Sequence, residues 1–369
     1  MRRFLLHILN EPTNLFKSIH LLVGAITLGL TYDYNVNHVS EDPLVEFVSQ
    51  VAEEASDAFE PGRWLVDVIP VLRYVPSWVP GTGFKKIASR WRRNMEEVMD
   101  IPYLFAKKNI ELGNARPSIV SILLEERDTS EEQEDIIKWT AGVLYAAGVD
   151  TTSGTLRKLF LVVALFPEVQ AKAQEEIDFI VGGEHLPTFA DRERLPYICA
   201  LTKEIFRWNT VAPVGFPHSA REDTEYNGYY IPKGATIIPN IGGFLNDAHT
   251  YTDPSKFMPE RFLGGNPEKD PFSLVFGFGR RICPGRELAE STVYLCAAMS
   301  LAVFNIVKSP NRELEVKFAS GLVCKPEKFD VSIRPRNKNA EDLIKLIGNE
   351  ESFGSGSAES IKAYLNKSD

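Results

Sequence analysis

The stretch FGFGRRICPG, Phe276 to Gly285, sets one cysteine among three glycines, two arginines and a proline. A cysteine on its own is most often a small buried hydrophobe. Here Gly277, Gly279 and Gly285 supply backbone freedom or room for close approach, Pro284 can open a helix as its first residue, and Arg280 and Arg281 bring fixed positive charge. Such a setting stabilises a thiolate at Cys283. A second group of polar residues, AAGVDTTSGT from Ala146 to Thr155, interrupts a long apolar stretch. Gly148 costs about 1 kcal/mol relative to alanine in a helix, and Asp150, Thr151, Thr152 and Ser153 are poor interior helix formers. Threonine hydroxyls that bond back to the preceding turn bend a helix and open it to water or ligand. A solvent-facing stripe, or a short loop between two helices, reads the same residues equally well. Glu204 and Arg207 lie three apart on one helix face, an ion pair ordinarily worth about 0.2–0.5 kcal/mol.

The elements that must position these groups are mainly helical. Periodicity and caps predict helices over about Pro43–Ala58, Phe84–Leu112 with an interruption near Pro102, Glu131–Phe166, Pro167–Val181 and Leu195–Asn209. From Ala220 the character changes to short strands and turns, with Asn227-Gly228 a strong tight-turn signal and Lys233-Gly234 a weaker one. One helix is expected after Pro284, running to about Ile306, and LEVKF, GLVC and FDVSI then alternate like small strands. The end of the chain, 337–369, reads as a frayed, polar tail.

The 369 residues, 44% hydrophobic and 25% charged, describe a globular chain with a large core. A net charge of -9 without a long basic run argues against nucleic acid as a partner. The four cysteines form no CxxC pair and no disulfide framework, which suits a reducing compartment. The most apolar early stretch, Ile19–Leu30, is shorter than the ~20 residues a bilayer core needs, so a buried helix is expected there, and no signal peptide is visible.

Four motifs, AGVDTT at Ala147–Thr152, KEIFR at Lys203–Arg207, PERF at Pro259–Phe262 and the Cys283 loop, stand in the order and rough separation of the cytochrome P450 haem-thiolate monooxygenases. The signature Phe276-x-x-Gly279-x-Arg281-x-Cys283-x-Gly285 is the specific one, and the resemblance runs from about Met1 to Arg336. LVDVIPVLRYVPSWVPG and PHSARED look most like fungal members, near the group containing O-methylsterigmatocystin oxidoreductases.

The resemblance implies a mainly α fold of the P450 type over 1–336, with a small β-rich region near the C-terminus. It implies haem b as cofactor, held between the helix of Asp150 and Thr151 and the loop of Cys283. Cys283 matches the proximal iron ligand, whose thiolate pushes electron density onto the iron and favours O–O cleavage. Arg281 resembles the arginine that pairs with a haem propionate, and His218 aligns with a basic position serving the other side of that task. Phe276 resembles a residue packed against the ring and the sulfur. Gly279 and Gly285 belong to the same loop, and Gly148 matches the glycine that leaves space for dioxygen. Asp150 and Thr151 match the acid–alcohol pair that delivers protons during oxygen activation. Glu204, Arg207 and Arg261 match a buried structural network. The implied reaction inserts one oxygen atom into a small apolar substrate, with electrons from an NADPH-cytochrome P450 reductase. Arg280, Arg286 and nearby lysines are candidates to meet that acidic partner.

Against the family pattern, the chain is expected to lack the N-terminal anchor, small sheet and helices that close the pocket. After Trp64, Trp78, Trp91, Trp139 and Trp208, the residues four further on are Val68, Thr82, Met95, Val143 and Ala212, not the arginine or lysine of the family's propionate anchor. A truncated, inactive fragment, or a haem-binding protein without turnover, is the alternative expectation. Family members are anchored in the endoplasmic reticulum membrane; without an anchor segment, a cytoplasmic or membrane-peripheral location is expected.

Overall fold

The computed structural model describes residues 1–37, 42–60, 62–125, 130–310, 313–319, 321, 323–350, 357–358 and 361. The chain divides into two compact units, 1–153 with 344–369, and 154–343.

The first unit is helical: α1 (Arg2–Asn10), α2 (Leu15–Tyr32), α3 (Pro43–Ala58), α4 (Leu65–Val68), α5 (Gly83–Glu111), α6 (Ile119–Glu125) and the first part of α7 (Glu131–Leu165). The start of α3 shows how sequence sets a boundary. Pro43 occupies the first turn, and the Asp42 carboxylate accepts the amides of Leu44 at 3.0 Å and Val45 at 3.2 Å. The buried Tyr34 hydroxyl donates to the same carboxylate at 3.0 Å, tying the end of α2 to this cap.

Two expectations are corrected in this unit. Helix α5 runs without interruption through Pro102. Proline removes one amide and crowds the preceding turn, but buried Val98, Met99, Ile101, Tyr103, Phe105 and Ala106 hold the helix together around it. Second, the apolar early segment is longer than its most apolar core. Pro12–Tyr32 gives 21 residues of mean hydropathy 1.4, enough by length and composition to cross a membrane, with 56% of that window buried inside the protein. Leu15, Ile19, Leu22, Val23 and Leu28 face its neighbours α1, α3, α5 and α6. The helix expected over Glu131–Phe166 is present as α7, one continuous 35-residue helix through the polar group at its centre, which excludes the alternative of a short loop there. Three acidic residues in its first turn, Glu131, Glu132 and Glu134, suit the positive end of the helix dipole.

The second unit holds the rest of α7, then α8 (Pro167–Ile180), α9 (Pro196–Arg207), β1 (His218–Ser219), β2 (Thr224–Tyr226), β3 (Tyr229–Ile231), β4 (Thr236–Ile237), α10 (Ile241–Leu245), α11 (Phe272–Val275), α12 (Arg286–Val303), β5 (Phe304–Lys308) and β6 (Val331–Pro335). Strands β2 and β3 form a hairpin, Tyr226 opposite Tyr229. Asn227 and Gly228 turn it with φ of 49° and 80°, as the sequence signal requires. Strands β1 and β4 pair outside this hairpin, His218 opposite Ile237. Helix α12 packs on α8 and α9. The start of α9 is capped from α8, the Glu176 carboxylate accepting the amides of Tyr197 at 2.7 Å and Ile198 at 3.0 Å.

Corrections here concern the C-terminal part. Helix α12 starts at Arg286 rather than Pro284, with Gly285 as its N-cap, and stops at Val303. Residues 304–308, expected as helix to Ile306, form β5, which pairs antiparallel with β6. The Gln170 side chain brackets β5, donating to Ile306 O at 2.9 Å and accepting its amide at 2.8 Å. FDVSI contributes to β6, whereas LEVKF, among the described residues, forms a bridge of Phe318 with Pro326 rather than a strand. Within the segment expected as a frayed tail, Lys338–Glu350 forms α13, with Ala340 and Ile344 buried. Ser357 donates its amide to Asn35 O at 2.7 Å. Most of GSGSAES and LNKSD lies outside the described residues.

Candidate functional site

Cys283 sits in a loop that its own backbone closes. Its amide donates to the carbonyl of Phe276 at 2.8 Å, and the amide of Gly277 donates to Leu274 O at 3.2 Å. Gly277 and Gly279 hold φ of 76° and 59°, the left-handed region where a side chain is strained, so these two glycines are demanded by the turn. Gly285 is different: its φ is -84°, and a Cβ there would lie 3.8 Å from Cys283 Sγ, an ordinary contact. Of the four cysteines, all free, Cys283 alone is exposed; Cys296 is buried, and Cys199 and Cys324 are half-buried. Burial pushes the Cys296 thiol up to about 12 and raises those of Cys199 and Cys324 as well.

Around the thiol, Phe278 and Ile282 stand exposed, and so do Arg280 and Arg281. Among the described residues neither arginine has an ion-pair partner. His218 is exposed on β1, an element separate from this loop. Phe276 is half-buried, its ring against those of Phe206, 5.4 Å away, and Phe272, 5.8 Å away.

Glu204, Arg207 and Arg261 are brought together. Arg207 clasps Glu204 with two parallel bonds of 2.7 and 2.8 Å, and Arg261 reaches the same carboxylate at 3.3 Å. All three side chains are fully buried. Both guanidinium groups also donate to backbone: Arg207 to Leu245 O at 2.8 Å and Lys256 O at 3.1 Å, Arg261 to Thr252 O at 2.8 Å. Glu204 also accepts the amide of Met258 at 2.8 Å. A fourth member had no sequence signal: Glu268 accepts from Arg261 at 2.6 Å and from the Thr252 amide at 3.0 Å. With it, two arginines face two carboxylates. Burial alone would raise the Glu268 carboxyl, but Arg261 and Thr252 more than offset this and hold it below its usual range.

On α7, Asp150 is buried, and the half-buried Thr151 donates its hydroxyl to Ala147 O at 2.7 Å. Gly148 has a steric reason to be glycine within the first unit, since a Cβ there would come within 3.2 Å of Thr27 on α2. Further along the helix, in the second unit, Lys158 is fully buried, a residue that pattern reasoning passes over as part of an apolar run.

A model of the cytochrome P450 family matches residues 13–333. The chain belongs to the cytochrome P450 family. It is 45% identical to cytochrome P450 monooxygenase 208 of Postia placenta over 93% of this chain and 68% of that protein. It is 44% identical to a cytochrome P450 monooxygenase of Ampulloclitocybe clavipes over 95% of this chain and 66% of that one. With the O-methylsterigmatocystin oxidoreductase of Aspergillus flavus it shares 38% identity over 99% of this chain and 70% of the relative. The chain thus spans about two thirds of the length of these fungal relatives. The mainly helical architecture is that of the P450 fold, and the family brings haem-thiolate monooxygenase chemistry with it.

The residues present fit a P450 haem. The Cys283 loop offers one exposed sulfur, two exposed apolar side chains beside it and guanidinium groups that have no ion-pair partner among the described residues. An iron, an apolar ring and carboxylate edges need that donor set.

Proposed function

We propose that this P450 holds haem b through Cys283 and inserts one oxygen atom of dioxygen into a small apolar substrate, the other leaving as water, with two electrons from an NADPH-dependent reductase. The observation that carries the reading is the exposed, free thiol of Cys283 in a loop closed by its amide bond to Phe276. When bound, haem supplies the oxygen activation, and the thiolate favours O–O cleavage.

The chain's own residues do the rest. Arg281 and His218 pair with the haem carboxylates, for which a guanidinium fork is suited. Phe278 and Ile282 exclude water from the sulfur. Thr151, whose hydroxyl donates to Ala147 O, holds a proton donor at Oγ1 during turnover, and the adjacent Asp150 carboxylate relays protons to it from solvent. Gly148 keeps bulk off the helix beside this pair. The network of Glu204, Arg207 and Arg261 is structural, holding the segment that leads to Cys283. Exposed Arg280 offers positive charge to an acidic reductase surface; Arg286, named with it from sequence, instead places its guanidinium 5.9 Å from the Phe272 ring. A membrane-peripheral location is supported by exposed Leu65, Val68, Val71, Tyr74 and Trp78 in the first unit.

Reduced, carbon-monoxide-treated, haem-supplied protein tests the reading: a thiolate-type absorption band is expected, lost in Cys283→Ala, and soluble protein without that band overturns it. In the active enzyme, Thr151→Ala is expected to lower product formed per NADPH by about an order of magnitude, and Thr151→Ser to restore most of it. Unchanged coupling in Thr151→Ala sinks the proton-handling role.

A further inference from the structure

Phe206 on α9, Phe272 on α11 and Phe276 in the cysteine loop touch pairwise. Their ring centroids are 5.3 Å (Phe206–Phe272), 5.4 Å (Phe206–Phe276) and 5.8 Å (Phe272–Phe276) apart, tilted or edge-on. Tilted and edge-on ring pairs at such distances are favourable beyond the area they bury. Phe206 and Phe272 are buried, whereas residues 278–284 are all exposed. The carbonyl of Phe276 receives the amide of Cys283. The half-buried ring at one end of this loop therefore packs on two buried rings, and its backbone holds the cysteine.

The other end of the chain of contacts is the buried ion network. Phe206 is the residue before Arg207, whose guanidinium has Glu204 and two backbone carbonyls as partners. Among the described residues, the polar partners of Glu204, Arg207 and Arg261 all lie outside 276–285. The Phe206 ring, next in sequence to Arg207, therefore joins the network's helix to the cysteine loop by packing on Phe276.

We propose that Phe206 and Phe272 are positioning residues for the haem ligand, setting through the Phe276 ring the backbone around Cys283 and hence the reduction potential of the iron it holds. This rests on the haem-thiolate reading above. Hydrogen bonds and solvent exposure at a ligating sulfur tune a metal's potential, and truncating a packed ring leaves a cavity into which neighbours relax. A smaller residue at 206 or 272 lets Phe276 tilt and shifts the Cys283 amide with it.

The test is a redox titration and reduced carbon-monoxide spectrum of the haem-loaded full chain carrying Phe206→Leu or Phe272→Leu. Phe304→Leu serves as control, a buried ring on β5 outside the triangle. Both triangle variants are expected to keep a thiolate band and to change the reduction equilibrium at least threefold, about 28 mV for one electron. The control is expected to lose stability without moving the potential. Phe206→Met and Phe272→Met, which keep most of the volume but not the flat ring, give the same reading if a leucine variant fails to hold haem. Wild-type potentials in the triangle variants overturn the inference while leaving the haem-thiolate reading intact. Absence of the thiolate band from the wild type overturns both.

Discussion

The side-chain nitrogen of Lys158 donates to the carbonyl oxygen of Asn209 at 2.7 Å, from a fully buried position on α7. It donates to Trp208 O at 2.9 Å as well. Trp208 is the C-cap of α9, and Asn209 follows with φ of 47°. These carbonyls lie at the negative end of a helix, where a cation is favoured. Burial nevertheless pushes Lys158 down to about 7; Cys324 and Glu204 pull it up, and Arg207 adds to the lowering.

The pH dependence follows with a definite sign. Unfolded, Lys158 keeps its proton up to the usual lysine range; folded, it releases it near 7. Its cost to the folded state is present in full below that value and is relieved as pH rises toward 10.5. In this window the stability of the wild type should gain up to about 1.4 kcal/mol per pH unit over Lys158→Met. Urea-unfolding midpoints of the two proteins at several pH values between neutral and 9 check this. Parallel pH profiles would mean that the lysine is solvated or charged in both states.

The buried network predicts unequal losses from its members. Replacing Arg207 by Met leaves Glu204 buried with only one weaker arginine contact, and breaking such a pair costs about 3–5 kcal/mol. Glu268→Gln is milder, because that carboxylate is 19% exposed and an amide oxygen can still accept from Arg261. The Arg207 variant should therefore lose soluble, haem-retaining protein, while Glu268→Gln keeps it. Glu268 titrates below its usual range in the folded protein, so its contribution is complete above that range and is lost as pH falls through the lowered value. Glu268→Gln should flatten this part of the acid limb. Haem content per protein and acid-unfolding curves separate the two variants.

How far these groups were legible in the sequence depends on how far apart their partners lie along the chain. The Cys283 loop could be read because its glycines answer local backbone requirements, met at Gly277 and Gly279, and the β2–β3 hairpin because Asn227-Gly228 fits its turn. Helices α3 and α8 were readable from proline starts and apolar periodicity. Lys158 and Asn209, Phe206 and Phe276, and Glu176 with the start of α9 meet only after the chain has folded, and no spacing announces them. Pro102 misled because local chemistry argued for a break that tertiary burial outweighs. Phe304 to Lys308 misled in the opposite way: their apolar character suited either helix or strand, and pairing with β6 decided it.

Thiol reactivity offers a direct check on the cysteine loop. Cys283 is exposed, whereas burial raises the thiols of Cys199, Cys296 and Cys324 and withholds their thiolates. Limited alkylation of haem-free protein, read by peptide mass spectrometry, should label Cys283 first and Cys296 last. Loading with haem should protect Cys283 and leave the order of the others unchanged. Equal labelling of Cys283 with and without haem, in protein shown to contain haem, argues that its sulfur is not the ligand.

The exposed apolar segment of the first unit makes the last prediction. Trp78 is 81% exposed, and Leu65, Val68 and Tyr74 are each at least 70% exposed, a concentration that water does not favour. The segment has a fixed base: Trp64 packs edge-on against Trp91 at 5.5 Å, and Lys85 donates to Arg73 O at 2.8 Å. Helix α2 is the other apolar candidate for a membrane, but Leu22, Val23 and Leu28 are already buried in packing. Full burial of a large apolar side chain is worth about 1.5–3 kcal/mol. The double variant Leu65→Ser, Trp78→Ser should therefore bind phosphatidylcholine vesicles at least tenfold more weakly than the wild type in co-sedimentation, with its carbon-monoxide spectrum unaltered. Wild-type partitioning by the double variant would move the membrane contact elsewhere, because no other change distinguishes the two proteins at that surface.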